Sequence, residues 1–197
     1  MQNNITIQQG SDYIQEVRWE TVPIVYKAIS SISNAAPALI QAIGHGIPDG
    51  WRVAITSVKG MEEINASGTP PKERDYHFAT KVDVDNISIN DINAASFGAY
   101  LSGGYVQYNT PVELTGFTAR MSIKDRIGGT LLATLTDANG KIVLDPTGHT
   151  IKIKLGAVET AGYTWVSGVY DLELVSAAGV VTSLLQGNVS LLQEVTT

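Results

Sequence analysis

Apolar and acidic residues alternate through Tyr170-Asp171-Leu172-Glu173-Leu174, so Tyr170, Leu172 and Leu174 share one face and Asp171 and Glu173 the other. A period of two marks a half-buried antiparallel strand. Ser176-Ala177-Ala178-Gly179 supplies a turn, and Val180 to Gln186 runs back. Gly187 predicts a bend or bulge, after which Val189, Leu191 and Val195 resume the alternation as a third strand. The same reading predicts strands at Ile5 to Ile7 and at Tyr13 to Glu20, where Tyr13, Gln15, Val17 and Trp19 share a face and Trp19 anchors a core. Further strands are expected at Pro37 to Ile43, Trp51 to Val58, Tyr76 to Val82, Ile87 to Asn90, Phe117 to Ile123, Leu131 to Thr136, Ile142 to Leu144 and Thr150 to Leu155. Thr21 to Ala28 reads as extended but, with Pro23 inside it, not as a central strand. A single helical turn is expected around Val158-Glu159-Thr160, and no window carries the 3.6-residue period of a long amphipathic helix. The pattern predicts an all-β protein.

Turn chemistry divides these runs. Gly44-His45-Gly46-Ile47-Pro48-Asp49-Gly50 is dense in turn formers, and Asp83-Val84-Asp85-Asn86 and Asp137-Ala138-Asn139-Gly140 read as hairpin turns. Met61 and Ile64 sit in a tight turn, available to plug a barrel end. Residues 66–75 form a polar loop carrying Pro70-Pro71, and Gly98 and Gly103-Gly104 punctuate a return. A small polar run begins at Ser30, and the character of the N-terminal strands resumes after Tyr105.

Composition narrows the chemistry. The chain has 197 residues, enough for one large or two small β domains, and its net charge is −6 with no basic patch, which argues against nucleic acid as a partner. Cys is absent, which removes disulfides, thiolate metal sites and Cys nucleophiles. No apolar run approaches the roughly 18–20 residues of a membrane-spanning helix, so no membrane partner is expected. His45, His77 and His149 are isolated, and no Gly-x-Ser-x-Gly elbow or calcium-loop spacing occurs. The histidines read as structural or surface residues, and the acidic pairs Glu62-Glu63 and Asp83/Asp85 as solvated edges. No cofactor and no enzymatic activity are expected.

Two ordered sets of residues resemble phage virion modules. Over 34–105, Ala42-Ile43-Gly44-His45-Gly46-Ile47-Pro48-Asp49-Gly50, Val58-Lys59-Gly60-Met61-Glu62-Glu63-Ile64-Asn65, Val84-Asp85-Asn86-Ile87-Ser88-Ile89 and Phe97-Gly98-Ala99-Tyr100-Leu101-Ser102-Gly103-Gly104 resemble the small β-barrel module of phage tail proteins. That module is similar in topology to the first catalytic-cysteine half-domain of ubiquitin-activating enzymes. In the flanks, Gly10-Ser11-Asp12-Tyr13, Val17-Arg18-Trp19, Val112 to Met121, Gly168 to Leu174, Leu185-Gln186-Gly187 and Glu194-Val195-Thr196 resemble an immunoglobulin-like β-sandwich of phage tail, baseplate and neck proteins.

The resemblances imply an immunoglobulin-like β-sandwich (1–29 and 106–197) interrupted by an inserted small β-barrel (30–105). They imply a non-enzymatic virion structural protein, assembled in the host cytoplasm, that docks in several copies on other phage virion proteins of the tail, neck or baseplate. The alternative is a capsid decoration or host-surface module that binds glycan or protein. Loops held by rigid β scaffolds commonly carry contacts, which singles out Pro70, Pro71 and the return containing Tyr100 and Tyr105. Each tyrosine is either an interface anchor or packs on its own barrel.

Overall fold

A computed structural model describes residues 2–195; Thr196, the last residue of the flank resemblance, lies outside them. The strands are β1 (Ile5–Gln8), β2 (Tyr13–Arg18), β3 (Glu20–Ala28), β4 (Ser31–Ile32), β5 (Ala38–Gln41), β6 (Trp51–Lys59), β7 (His77–Lys81) and β8 (Asn86–Ile89). They continue with β9 (Ser102–Pro111), β10 (Thr118–Lys124), β11 (Leu131–Thr136), β12 (Ile142–Asp145) and β13 (Thr150–Leu155). The single α-helical turn α1 (Ala157–Ala161) precedes β14 (Ser167–Val175) and β15 (Val181–Leu192). The fold is all-β and sandwich-like, with curled sheets.

The chain divides into two compact units: the chain up to Trp19 together with the chain from Glu113, and Glu20–Val112 between them. The first unit holds a five-stranded sheet in the order β1-β15-β14-β10-β11 and a three-stranded sheet in the order β12-β13-β2. β1 runs parallel to β15, and the other pairs are antiparallel. Alternation decides what each sheet buries: Ala119, Met121 and Ile123 of β10 and Leu172 and Leu174 of β14 from one, Ile151, Ile153 and Leu155 of β13 from the other.

Two sequence expectations change here. Trp19 is not part of β2; it lies half-buried after the strand and meets Phe117 edge-on at 5.7 Å. β15 runs unbroken through Gly187, and the register shift falls at Leu172/Glu173 instead. Gly187 is there because a Cβ would lie 2.1 Å from the Asn3 carbonyl oxygen; a glycine inside a strand marks another backbone's close approach as readily as a bend.

The second unit is one curled sheet in the order β3-β9-β6-β7-β8-β5-β4. Its two outer members, β3 and β4, are consecutive in the chain, separated only by Ile29 and Ser30. Across that junction Ile29 N–H still donates to Gly104 O and Ser30 N–H to Gln41 O. A single bent run therefore pairs with β9 along its first half and β5 along its second, which closes the sheet into a small barrel.

Trp51, Val53, Ile55, Ile40, Ile87, Ile89 and Val106 fill the interior. Met61 and Ile64 belong to the same core, as barrel plugs should. The expected boundaries at 29/30 and 105/106 cut through the barrel's wall, because β3 pairs with β9 along Glu20↔Pro111 to Ala28↔Tyr105; the division falls at 19/20 and 112/113. Gly103 and Gly104, expected to break the chain, lie inside β9 with φ of 73° and 90°. A Cβ on Gly104 would lie 2.5 Å from Val58 Cγ2, so the glycine admits the neighbouring strand.

Candidate functional site

The outer wall of the barrel along β3 and β9 exposes several large apolar and aromatic side chains. Past the register shift at Thr21/Ile24, residues of β3 alternate: Val25 packs against the core, and Ile24, Tyr26 and Ala28 face out. β9 answers with Val106 and Tyr108 inward and Tyr105 outward. Val22 is 78% exposed, Tyr26 55% and Tyr105 46%, and the two tyrosine rings meet at right angles with centroids 6.3 Å apart. Asn109 and Gln107 lie opposite Ile24 and Tyr26 on this face, so the exposed apolar side chains are set among polar ones. Single exposed apolar residues are ordinary, whereas two exposed aromatic rings in contact offer a surface that a partner can cover.

A polar clamp borders this surface. Glu20 of β3 accepts from the Arg52 guanidinium of β6 at 3.0 and 3.2 Å for Nε and 3.0 Å for Nη2, reaching past β9. Asn109 of β9 donates to the same carboxylate at 3.0 Å. Arg52 also pairs with Glu73 and lies over the Tyr76 ring at 5.3 Å. The Glu20 hydrogen bonds hold the guanidinium more firmly protonated than usual. With each charge answered, the cluster ties three strands together and has no free group for chemistry.

The four residues singled out from sequence separate. Tyr100 is partly buried against the barrel core, and its hydroxyl donates to the carbonyls of Ile29 and Gly103, each at 3.0 Å, so it packs on its own barrel. Tyr105 stands on the outer wall. Pro70 is exposed and Pro71 half-buried, in a loop fastened by Asp75. Lys72 N–H and the Ser67 hydroxyl donate to the Asp75 carboxylate at 2.7 and 2.8 Å, which holds its pKa below the usual range. Val22, Ile24 and Tyr26 escaped sequence reasoning because Thr-Val-Pro-Ile-Val-Tyr is apolar on both faces and indicates no inside.

The acidic turn residues are fasteners and not merely solvated edges. Glu62 and Glu63 accept from the N–H groups of Gly60 and Gly98, at 2.9 and 3.0 Å. Asp83 accepts from Asp85 N–H and Asn86 N–H, each at 2.8 Å, and Asp85 from Gly44 N–H at 2.8 Å. His45 is fully buried; its Nδ1 accepts from Ile47 N–H at 2.9 Å, which leaves Nε2 to donate to Asp83 O at 3.0 Å. Tyr108 locks the same loop by donating to His45 O at 2.6 Å. Among the described residues no group of three or more His, Cys, Asp or Glu is placed to hold a metal ion.

No family model matches this sequence, and no curated protein matches it.

Proposed function

We propose that this chain is a non-enzymatic structural subunit of a tailed-phage particle, an adaptor of the tail, baseplate or neck that docks on neighbouring virion subunits through the β3/β9 wall of its barrel. The observation that carries docking is the exposure of Val22, Ile24, Tyr26 and Tyr105. Aromatic side chains on a rigid wall lose little entropy when covered, which suits an interface core. Repetition of a weak contact around a ring of copies multiplies its strength. The phage assignment rests on the residue resemblances set out above, including the immunoglobulin-like character of the flanks.

The test is incorporation into particles. Val22→Asp and the double change Tyr26→Ala with Tyr105→Ala alter only outward side chains, so both proteins should fold. Incorporation should fall at least about tenfold, the effect of losing roughly 1.4 kcal/mol per contact. Wild-type incorporation of both folded proteins would refute docking through this wall. The alternative role, capsid decoration or host-surface binding, is favoured by one observation, an open groove of about 530 Å³ lined by Ser122, Lys124, Asp171, Gln186 and Asn188 of the five-stranded sheet.

A further inference from the structure

The outer face of the five-stranded sheet carries a groove of about 530 Å³. Strand register builds its floor. Ser122, Asp171 and Gln186 lie directly opposite one another across β10, β14 and β15. One step along, Lys124, Val169 and Asn188 form a second row. With strands about 4.8 Å apart and same-face residues about 6.8 Å apart, the six positions make an array roughly 10 by 7 Å. Ile127, 91% exposed in the β10–β11 turn, forms one wall.

The polar side chains of this array are uncommitted. Those of Ser122, Lys124, Asp171, Gln186 and Asn188 make no hydrogen bond or ion pair with the described residues. On the same face one row away, Arg120 and Glu173 close on each other at 2.7 Å. The sheet therefore neutralises its charges beside the groove and leaves them open within it.

The lining chooses the ligand. One ammonium against one carboxylate gives no net field for a phosphate or a metal ion. The main-chain groups of β10 and β14 are engaged in the ladder, so a peptide cannot bind here by adding a strand. Amides, a hydroxyl and a carboxylate together offer adjacent donors and acceptors, which is what vicinal hydroxyl groups require. Val169 and Ile127 supply apolar surface for the C–H face of a sugar ring. The volume lies within the range of small-molecule sites, about 300–1,000 Å³. We propose that this groove binds a neutral saccharide, one or two pyranose units of a glycan chain. The inference goes beyond the docking reading and does not depend on it, since the groove and the barrel wall belong to different units and share no residue.

The experiment is an NMR titration of the full chain with cellobiose, maltose, lactose and N,N′-diacetylchitobiose, with glycerol and inorganic phosphate as controls. At least one disaccharide should give saturable shifts centred on the amides of Asp171, Gln186 and Asn188. Asp171→Ala and Gln186→Ala should each weaken that binding about tenfold, as expected for losing a hydrogen bond to a charged or amide group, while leaving the spectrum elsewhere unchanged. Absence of saturable shifts with all four sugars would overturn the proposal. So would equal shifts with glycerol, saturable shifts with phosphate alone, or undiminished binding in both folded variants.

Discussion

The sandwich unit and the barrel unit treat the edges of a sheet in opposite ways. The sandwich keeps β1 and β11 as the edges of one sheet and β12 and β2 as the edges of the other. The barrel joins its two outer strands instead, because the bent β3–β4 run pairs with β9 along one half and with β5 along the other. The difference extends to the chain. β1 pairs with β15, so the sandwich needs both ends of the described chain, whereas every barrel strand lies within Glu20–Val112. A barrel of nearby strands closes with less loop entropy, and a sandwich split by an insertion waits for its last strand. Each unit also presents a different surface: the closed wall exposed apolar and aromatic side chains, the open sheet face a polar array.

The largest effect that tests this contrast comes from cutting the chain. Glu20 and Pro111 are paired, so the barrel's two ends leave side by side. A protein lacking 20–112, with Trp19 joined to Glu113 by a short Gly/Ser linker, should unfold cooperatively in urea. Removing 30–105 instead leaves β3 and the end of β9 paired only with each other and stripped of the barrel core that Val25, Val106 and Tyr108 cover, and should give a protein of lower solubility than the 20–112 deletion. Loss of cooperativity in the first protein would show that the sandwich depends on its insertion.

Trp51→Ala should come next. The side chain is wholly buried at the centre of the barrel core, and such truncations cost about 3–5 kcal/mol. Hydrogen exchange should accelerate at β5 to β9 and stay unchanged at β14 and β15. Equal acceleration in both units would mean that they unfold as one and would break the comparison. Gly187→Ala is the corresponding change in the sandwich. Its Cβ would be forced against the Asn3 carbonyl, and overpacking of that kind costs about 1–3 kcal/mol. Exchange at β1 and β15 should rise with the barrel unaffected.

The smallest expected effect is in pH. Asp75 and Asp83 of the barrel have pKa values lowered by backbone N–H donors, from Lys72 and Asp85 respectively, with the side chains of Ser67 and Asn86 adding to it. Their stabilisation is present above the unfolded value of about 3.9 and is lost as pH falls through the lower folded values. Tyr13 of the sandwich is raised to about 12 by burial and then by Tyr170. Its contribution is present below about 10 and is lost as pH rises to about 12. Burial raises Tyr108 in the barrel, and Thr115 lowers Glu113 in the sandwich, so the measurement belongs at single sites. Exchange should increase first at 66–75 in acid and first around Tyr13 in alkali; the reverse order would contradict these assignments.

Much of the local structure was legible in the residues themselves. A period of two at 170–174 and 150–155 decides which side chains enter the core wherever the strand lies, because successive side chains must point to opposite faces. Asp83 to Asn86 makes its turn for reasons internal to those four residues, whereas the helical turn at Ala157–Ala161, legible in the sequence, is fastened from afar by Asp12 and Ser11. Other features required the partner strand. Gly187 and Gly104 read as bends because a glycine next to nothing is a hinge; only Asn3 and Val58 make them points of close approach. Tyr100 and Tyr105 are five residues apart and alike in composition, yet one hydroxyl finds Ile29 O and the other ring stands against Tyr26. The groove is likewise invisible in any single strand, since Ser122, Asp171 and Gln186 become neighbours only through register. Periodicity reports the face a residue occupies, whereas pairing, closure and the alignment of side chains across strands arise from contacts between distant segments, which tertiary structure alone decides.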